Sequence, residues 1–364
     1  MGRAWIGGKP AALERALAEA AGLLAASRCP LIAGLGTDVA GARAAIGLAD
    51  RIGGVIDHMN SDALLRDLAV LREARMMVTT PNEARLRADT LLLVGPSLEK
   101  EAPDLSRWLG LGSSGKGDAA TRRSLVRLCP GGAATIPGEK TVECDRDRLP
   151  AVLAALRARL AGRPVGKTRI PAKTIDEIAT LLKAARFGVA VWSAVDLDAL
   201  AIEMLCGIVA DLNMETRFTA FAIPPGDNAI GVLQACGWMT GFPMRTCFGR
   251  GQPEHDPWRF DGARMIAAGE ADCVVWISAY RAAAPRWTDG PPVIALTTGE
   301  AMPGRGPAVQ IEVGRPGVDH DGVEQCPALG TLVAVAAARR SETTSVADAI
   351  GGIMAAMPGA QVAT

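Results

Sequence analysis

Five short apolar runs constrain this chain more than any other feature: Leu31 to Leu35, Thr90 to Gly95, Val189 to Ser193, Cys273 to Ser278 and Val293 to Thr297. A strand that is apolar at successive positions, not alternate ones, is buried on both faces. Amphipathic stretches with helical spacing separate these runs. Leu13, Leu17, Leu23 and Leu24 recur at that spacing between Ala11 and Ser27. Asp38 to Ile52 reads as a helix with Asp38 as N-cap, stopped by Gly53-Gly54 before the strand Val55-Ile56. Asp62 to Arg75 reads as helix, Met76 to Thr79 as strand, and Pro81 as the start of a short helix. This alternation predicts an α/β fold of two doubly wound, mainly parallel sheet lobes, each covered on both faces.

Ser124 to Leu128 continues the pattern as strand, and Leu149 to Leu160 as helix. The Pro/Gly-rich joint from Gly162 to Pro171 is taken as the lobe boundary. The expected division is 1–163 for the first lobe, 164–340 for the second and 341–364 for a C-terminal helix and tail. In the second lobe, helices are expected near Ile175 to Ala185, Asp198 to Leu212, Ala229 to Cys236 and Ala263 to Ala268, with a strand at Arg217 to Ile223. A tail helix is expected over Thr344 to Met357. One internal echo supports two related lobes: Ala88-Asp89 and Ala271-Asp272 both precede a fully buried strand.

Charge narrows the function. Lys plus Arg and Asp plus Glu are both 39 in 364 residues, and no basic stripe of the kind that tracks a phosphate backbone is read here, which argues against nucleic-acid binding. The N-terminus has no apolar signal segment, and no run reaches the ~18 residues that span a bilayer, so a cytoplasmic protein with no membrane partner is expected. The eight cysteines stand at least eleven residues apart, from Cys29 to Cys326. Structural zinc and iron–sulfur sites draw thiolates in close pairs, so free buried thiols and no metal are expected.

Nucleotide motifs are near-misses. Gly34-Leu35-Gly36-Thr37-Asp38-Val39 sits between strand and helix, but Val39 replaces the third glycine of a dinucleotide fingerprint and Asp38 would repel a pyrophosphate. The loop Gly110 to Gly117 ends in Gly117 where a P-loop needs Ser or Thr. Gly162 to Thr168 is one residue short and carries Pro164. No Gly-x-Ser-x-Gly elbow is present. His58, His255 and His320 each adjoin an acid, at spacings that favour structural pairs over zinc.

Several stretches resemble one family. Cys29-Pro30-Leu31-Ile32-Ala33-Gly34-Leu35-Gly36, continuing through Ala49 to Asp57, is similar to the first lobe of the B subunit of formylmethanofuran dehydrogenase. So are Pro225-Gly226-Asp227-Asn228-Ala229 to Pro243 and Gly249-Arg250-Gly251-Gln252-Pro253 with His255-Asp256-Pro257. The resemblance implies kinship with molybdopterin oxidoreductases. Redox members carry a four-cysteine cluster segment, and a molybdenum- or tungsten-ligating cysteine beside a histidine after the strand matching Val55-Ile56. Here the chain reads Asp57-His58-Met59-Asn60-Ser61-Asp62-Ala63-Leu64-Leu65, with no cysteine, and a thioether such as Met59 is a poor ligand for a high-valent metal.

Those departures resemble the B subunit of the bacterial formyltransferase/hydrolase complex. That resemblance implies a non-catalytic structural subunit docking amidohydrolase (A), C and formyltransferase (D) subunits. Its complex moves a formyl group from formyl-tetrahydromethanopterin to a methanofuran-like carrier and releases formate, in formaldehyde oxidation. No cofactor is expected in this chain, and zinc is expected in the partner amidohydrolase. A vestigial cleft is expected near Asn60, Ser61, Asp62, Asp227, Asn228 and Arg250, with Arg250 facing an acidic carrier tail. The competing expectation is a redox-active formylmethanofuran dehydrogenase chain holding a molybdenum or tungsten pterin.

Overall fold

The computed structural model describes residues 3–96, 98–111, 123–131, 138–166, 168–285, 287, 289–299, 306–339 and 341–358. Most of the Gly110 to Gly117 loop lies outside the described residues. The fold is α/β with parallel sheets, divided into two compact units.

The first unit comprises Met1–Ser61, Gly226–Gln325 and Leu332–Thr364. Its strands are β1 (Ala4–Ile6), β2 (Lys9–Ala11), β3 (Pro30–Gly36), β4 (Val55–Ile56), β10 (Thr246–Cys247), β11 (Glu254–His255), β12 (Cys273–Ser278), β13 (Val293–Thr297) and β14 (Val309–Glu312). They form one sheet in the order β11-β10-β4-β3-β12-β13-β14-β1-β2. The centre from β4 to β14 is parallel, with antiparallel strands added at both edges. β15 (Gly322–Cys326) and β16 (Thr331–Val335) pair separately. The unit's helices are α1 (Leu13–Ala26), α2 (Val39–Ile52), α10 (Ala229–Thr240), α11 (Gly262–Ala267) and α12 (Val346–Ala356).

The second unit is residues Asp62–Pro225 with Cys326–Thr331. β5 (Thr90–Val94), β6 (Ser124–Cys129), β7 (Glu139–Glu143), β8 (Phe187–Trp192) and β9 (Arg217–Ala222) form an all-parallel sheet ordered β7-β6-β5-β8-β9. One face packs on α3 (Ser61–Ala74), α7 (Leu149–Leu160), α8 (Ala172–Lys183) and α9 (Ala199–Leu212) through Leu92, Val126 and Trp192. The other packs on α4 (Pro81–Arg87), α5 (Leu98–Glu101) and α6 (Leu105–Leu109) through Leu91, Leu93 and Val189. Helices on both faces account for strands that are apolar at every position.

The units do not part at residue 163. β12 returns to lie beside β3, with β13 and β14 beyond it, so the second unit is an insertion into the first. Hydrogen bonding between strands distant in sequence overrides the Pro/Gly-rich joint, which merely links α7 to α8. Met76 to Thr79 is not a strand: only Val78 bridges to Ala220. The Ala-Asp echo is structural. Asp89 accepts from the N–H groups of Arg186 (3.0 Å) and Phe187 (3.4 Å), entering β8. Asp272 accepts from those of Arg28 (2.8 Å) and Cys29 (3.0 Å), entering β3. Each carboxylate thus ties the start of its own strand to the start of the parallel neighbour.

Candidate functional site

In an open parallel sheet, the crevice for a ligand lies outside the carboxyl ends of the two strands where the winding reverses. In the first unit those strands are β3 and β12. β3 leads through α2 to β4 on one side, while β12 leads to β13 and β14 on the other. Gly34, at φ 79°, lets the strands approach here: a Cβ on it would lie 2.5 Å from the Ile277 carbonyl oxygen.

The turn after β4 continues the ladder, with the Asp57 N–H on the Ile32 carbonyl and that of Met59 on the Gly34 carbonyl, both 3.0 Å. His58 is buried, and its Nδ1 accepts from the Asn60 N–H at 3.0 Å. That donor leaves the ring proton on Nε2, which lies 3.2 Å from the Asp227 carbonyl and donates to it. Burial pushes the His58 pKa down to about 4, against the pull of the Asp227 carbonyl and carboxylate. The ring is neutral with both nitrogens engaged, and it serves as a strut. The Ser61 hydroxyl accepts from the His58 N–H at 3.0 Å, and the Asn60 amide donates to the Gly226 carbonyl at 3.0 Å.

Asp227 and Asn228 both take the left-handed conformation, at φ 59° and 56°. Their side-chain contacts hold them there. The Asn228 amide donates to the Thr37 carbonyl (2.8 Å) and accepts from the Gln325 N–H (2.9 Å). The Asp227 carboxylate is gripped by Arg281, with Nε to Oδ1 at 3.0 Å and Nη2 to Oδ2 at 2.6 Å. Nη2 also reaches the Met59 sulfur at 3.6 Å.

These groups pack together at the carboxyl end of β3. A Cβ on Gly36, at the end of β3, would lie 3.2 Å from Met59 Cε, 3.4 Å from Asp227 Cβ and 3.6 Å from Ser278 Cα. The α2 N-terminus, where a phosphate would bind, is taken by the chain's own Asp38, which accepts from the Gly41 N–H at 3.0 Å. The Tyr280 hydroxyl donates to Glu324 at 2.8 Å. Burial, with Glu324, Asp38 and Asp227 nearby, raises its pKa. An entering pyrophosphate meets carboxylates. The second unit repeats the device at its own reversal between β5 and β8, where Asp196 stands 3.3 Å from a Cβ placed on Gly95.

Beside the turn, Asp57 accepts from the Gly262 N–H (2.8 Å) and faces Arg245 Nε at 3.5 Å, while Arg245 Nη2 binds Asp261 at 2.5 Å. Burial pushes the Asp57 carboxyl up to about 6, with Arg245 opposing.

Of the residues expected from sequence, Asn60, Ser61, Asp227 and Asn228 come together. Asp62 lies in the first turn of α3, within the second unit. Arg250 is not in this group. The preceding Phe248 N–H bonds the Gly54 carbonyl at 2.9 Å, placing this loop at the amino end of β4, and Arg250 pairs with Glu254 at 3.1 Å. Sequence reasoning missed Arg281 and Arg245. For Arg281 a signal existed: it stands three residues beyond the end of a fully buried parallel strand, where α/β folds gather functional groups. His255 Nδ1 lies 3.0 Å from the Arg245 carbonyl and the ring stacks on Phe242, while His320 Nδ1 lies 2.7 Å from the Asp321 carbonyl. The eight cysteines are free, and burial pushes the thiols of Cys206 and Cys273 up to about 12. Among the described residues, no three His, Cys, Asp or Glu side chains gather as a metal site.

No family model matches the sequence. The B subunit of the formyltransferase/hydrolase complex from Methylorubrum extorquens is 33% identical over 354 residues, covering 96% of both chains. The B subunit of a tungsten-containing formylmethanofuran dehydrogenase from Methanocaldococcus jannaschii is 26% identical over 286 residues, 73% of this chain and 63% of that one. Among solved structures, a chain of the Methylorubrum extorquens formyltransferase/hydrolase complex (FhcABCD), crystallised with methylofuran, superposes with a TM-score of 0.86. It has 34% identity and covers 96% of this chain and 97% of its own. The chain belongs to the family of B subunits of formyltransferase/hydrolase complexes.

Proposed function

We propose that this chain is a non-catalytic structural subunit of a formyltransferase/hydrolase complex, cytoplasmic and assembled with amidohydrolase (A), C and formyltransferase (D) subunits. In that reading, formyl passes from formyl-tetrahydromethanopterin to the amine of a methanofuran-like carrier, and the carrier's formamide is hydrolysed to formate. The carbon keeps its oxidation level throughout, so this subunit has no electron to pass. Zinc chemistry belongs to the partner amidohydrolase. The two units are read as counterparts of the central domains of molybdopterin oxidoreductases. No described helix is long and apolar enough to cross a membrane.

The observation that carries the reading is the packing of Met59 and Asp227 on Gly36, with Arg281 holding Asp227. A tungsten or molybdenum pterin does not fit these residues. No thiolate stands between Asp57 and Leu65, and the Asp38 carboxylate caps the α2 N-terminus, an end that would otherwise suit an anion. Metal analysis of the complex purified through a tag on this chain tests the reading. Partner subunits with tungsten and molybdenum far below one per chain are expected. Stoichiometric tungsten or molybdenum with an extractable pterin would mean a redox subunit instead.

A further inference from the structure

The chain's zero net charge conceals one strongly biased stretch. From Arg157 to Arg186 there are eight Lys and Arg residues against two acids, and no aromatic residue. The stretch runs from the second half of α7 through α8, two of the helices that cover one face of the second unit's sheet. Both acids are spoken for, Asp176 by Arg159 and Glu177 by Lys140. Arg157 is held by Asp211, Nε to Oδ2 2.7 Å. Arg163, Arg169, Lys173 and Lys183 are exposed and form no ion pair among the described residues.

Two hollows flank α7. One of 430 Å³ lies toward α9, lined by Arg157, Arg163 and Met204 with the Asp211 that pairs Arg157. The other, of 300 Å³, lies toward α8, lined by Arg159, Thr180 and Lys183 with the Asp176 that pairs Arg159. A cation-rich surface with side-chain-sized hollows complements carboxylates at more than one point. Single-stranded nucleic acid is the poorer fit, because its bases stack on aromatic side chains and this stretch has none.

We propose that this α7–α8 face docks an acidic segment of another subunit of the complex. The proposal rests on the subunit reading above and adds the chemistry of one contact. Zero-length carbodiimide coupling of the intact complex joins only amines and carboxylates already in contact. Lys173 and Lys183 are expected to couple to Asp or Glu of another subunit, and high salt is expected to abolish the coupling. The double variant Arg163→Glu/Lys183→Glu, at exposed positions, is expected to weaken subunit association by roughly tenfold or more at physiological salt. A tagged chain that purifies alone contradicts the subunit reading itself. A complex that assembles with unchanged salt tolerance in the variant and shows only Lys140–Glu177 coupling within the chain overturns the docking face alone. So does nucleic acid bound at these lysines.

Discussion

At the scale of single residues, the Asp227 carboxylate is 6% exposed while Arg281 is 62% exposed. Arg281 therefore brings charge to a nearly buried group at modest desolvation cost of its own. Removing it strands a nearly buried anion. Arg281→Ala is expected to lower stability by about 3 kcal/mol, and Asp227→Asn in the same chain to recover much of that loss. Denaturant titration of the two single variants and the double variant measures the coupling; strict additivity would contradict the clamp.

Two groups, the buried His58 and the half-buried Asp67, titrate in opposite senses. Burial pushes Asp67 up to about 6, although Trp192 Nε1 donates to it at 3.1 Å. Folded Asp67 then binds its proton more tightly than the unfolded chain does, so its charge costs stability above pH 6 and the cost fades as pH falls toward 4. His58 has the reverse sign. Its folded pKa of about 4 lies below the unfolded value of 6.5, so its contribution is present above pH 6.5 and lost as pH falls to 4. Asp67→Asn, which keeps an acceptor for Trp192, is expected to stabilise by about 2 kcal/mol at pH 8 and hardly at all at about pH 3.5. Thermal melts at both pH values check this.

At the scale of elements, the central strands and most helices were legible because burial on both faces writes apolar runs and caps write Asp. Asp38 and Asp198 cap α2 and α9 by accepting from the Gly41 and Ala201 N–H groups. The strands β1, β2, β7 and β14, at or near the sheet edges, were not legible. They are three to five residues long, and a strand that short is defined by its partner more than by its own pattern. The Ala-Asp echo carried more than its length suggested. Asp89→Ala and Asp272→Ala each remove an acceptor from two backbone N–H groups at the entrance to a parallel neighbour. Each is expected to cost about 1–3 kcal/mol, with hydrogen exchange quickening first at Phe187 and Cys29 respectively.

At the scale of the whole molecule, the lobe boundary was misplaced because local composition marks flexible joints but not the return of a distant strand to its sheet. The candidate site was half legible. Asn60, Ser61, Asp227 and Asn228 stood in turns between recognisable elements, whereas Arg281 acts through a partner 54 residues away. At both reversals an aspartate packs on a glycine, Asp227 through its Cβ on Gly36 and Asp196 through its carboxylate on Gly95. In the proposed reading, the crevice at β3 and β12 does no chemistry. The direct measurement is formyl transfer and hydrolysis by the assembled complex carrying Asp227→Asn with Arg281→Ala. Turnover per assembled complex within about twofold of the unmodified protein is predicted, since an interaction made only in the transition state would show in kcat. A loss of roughly tenfold or more, with every subunit still present, would contradict it.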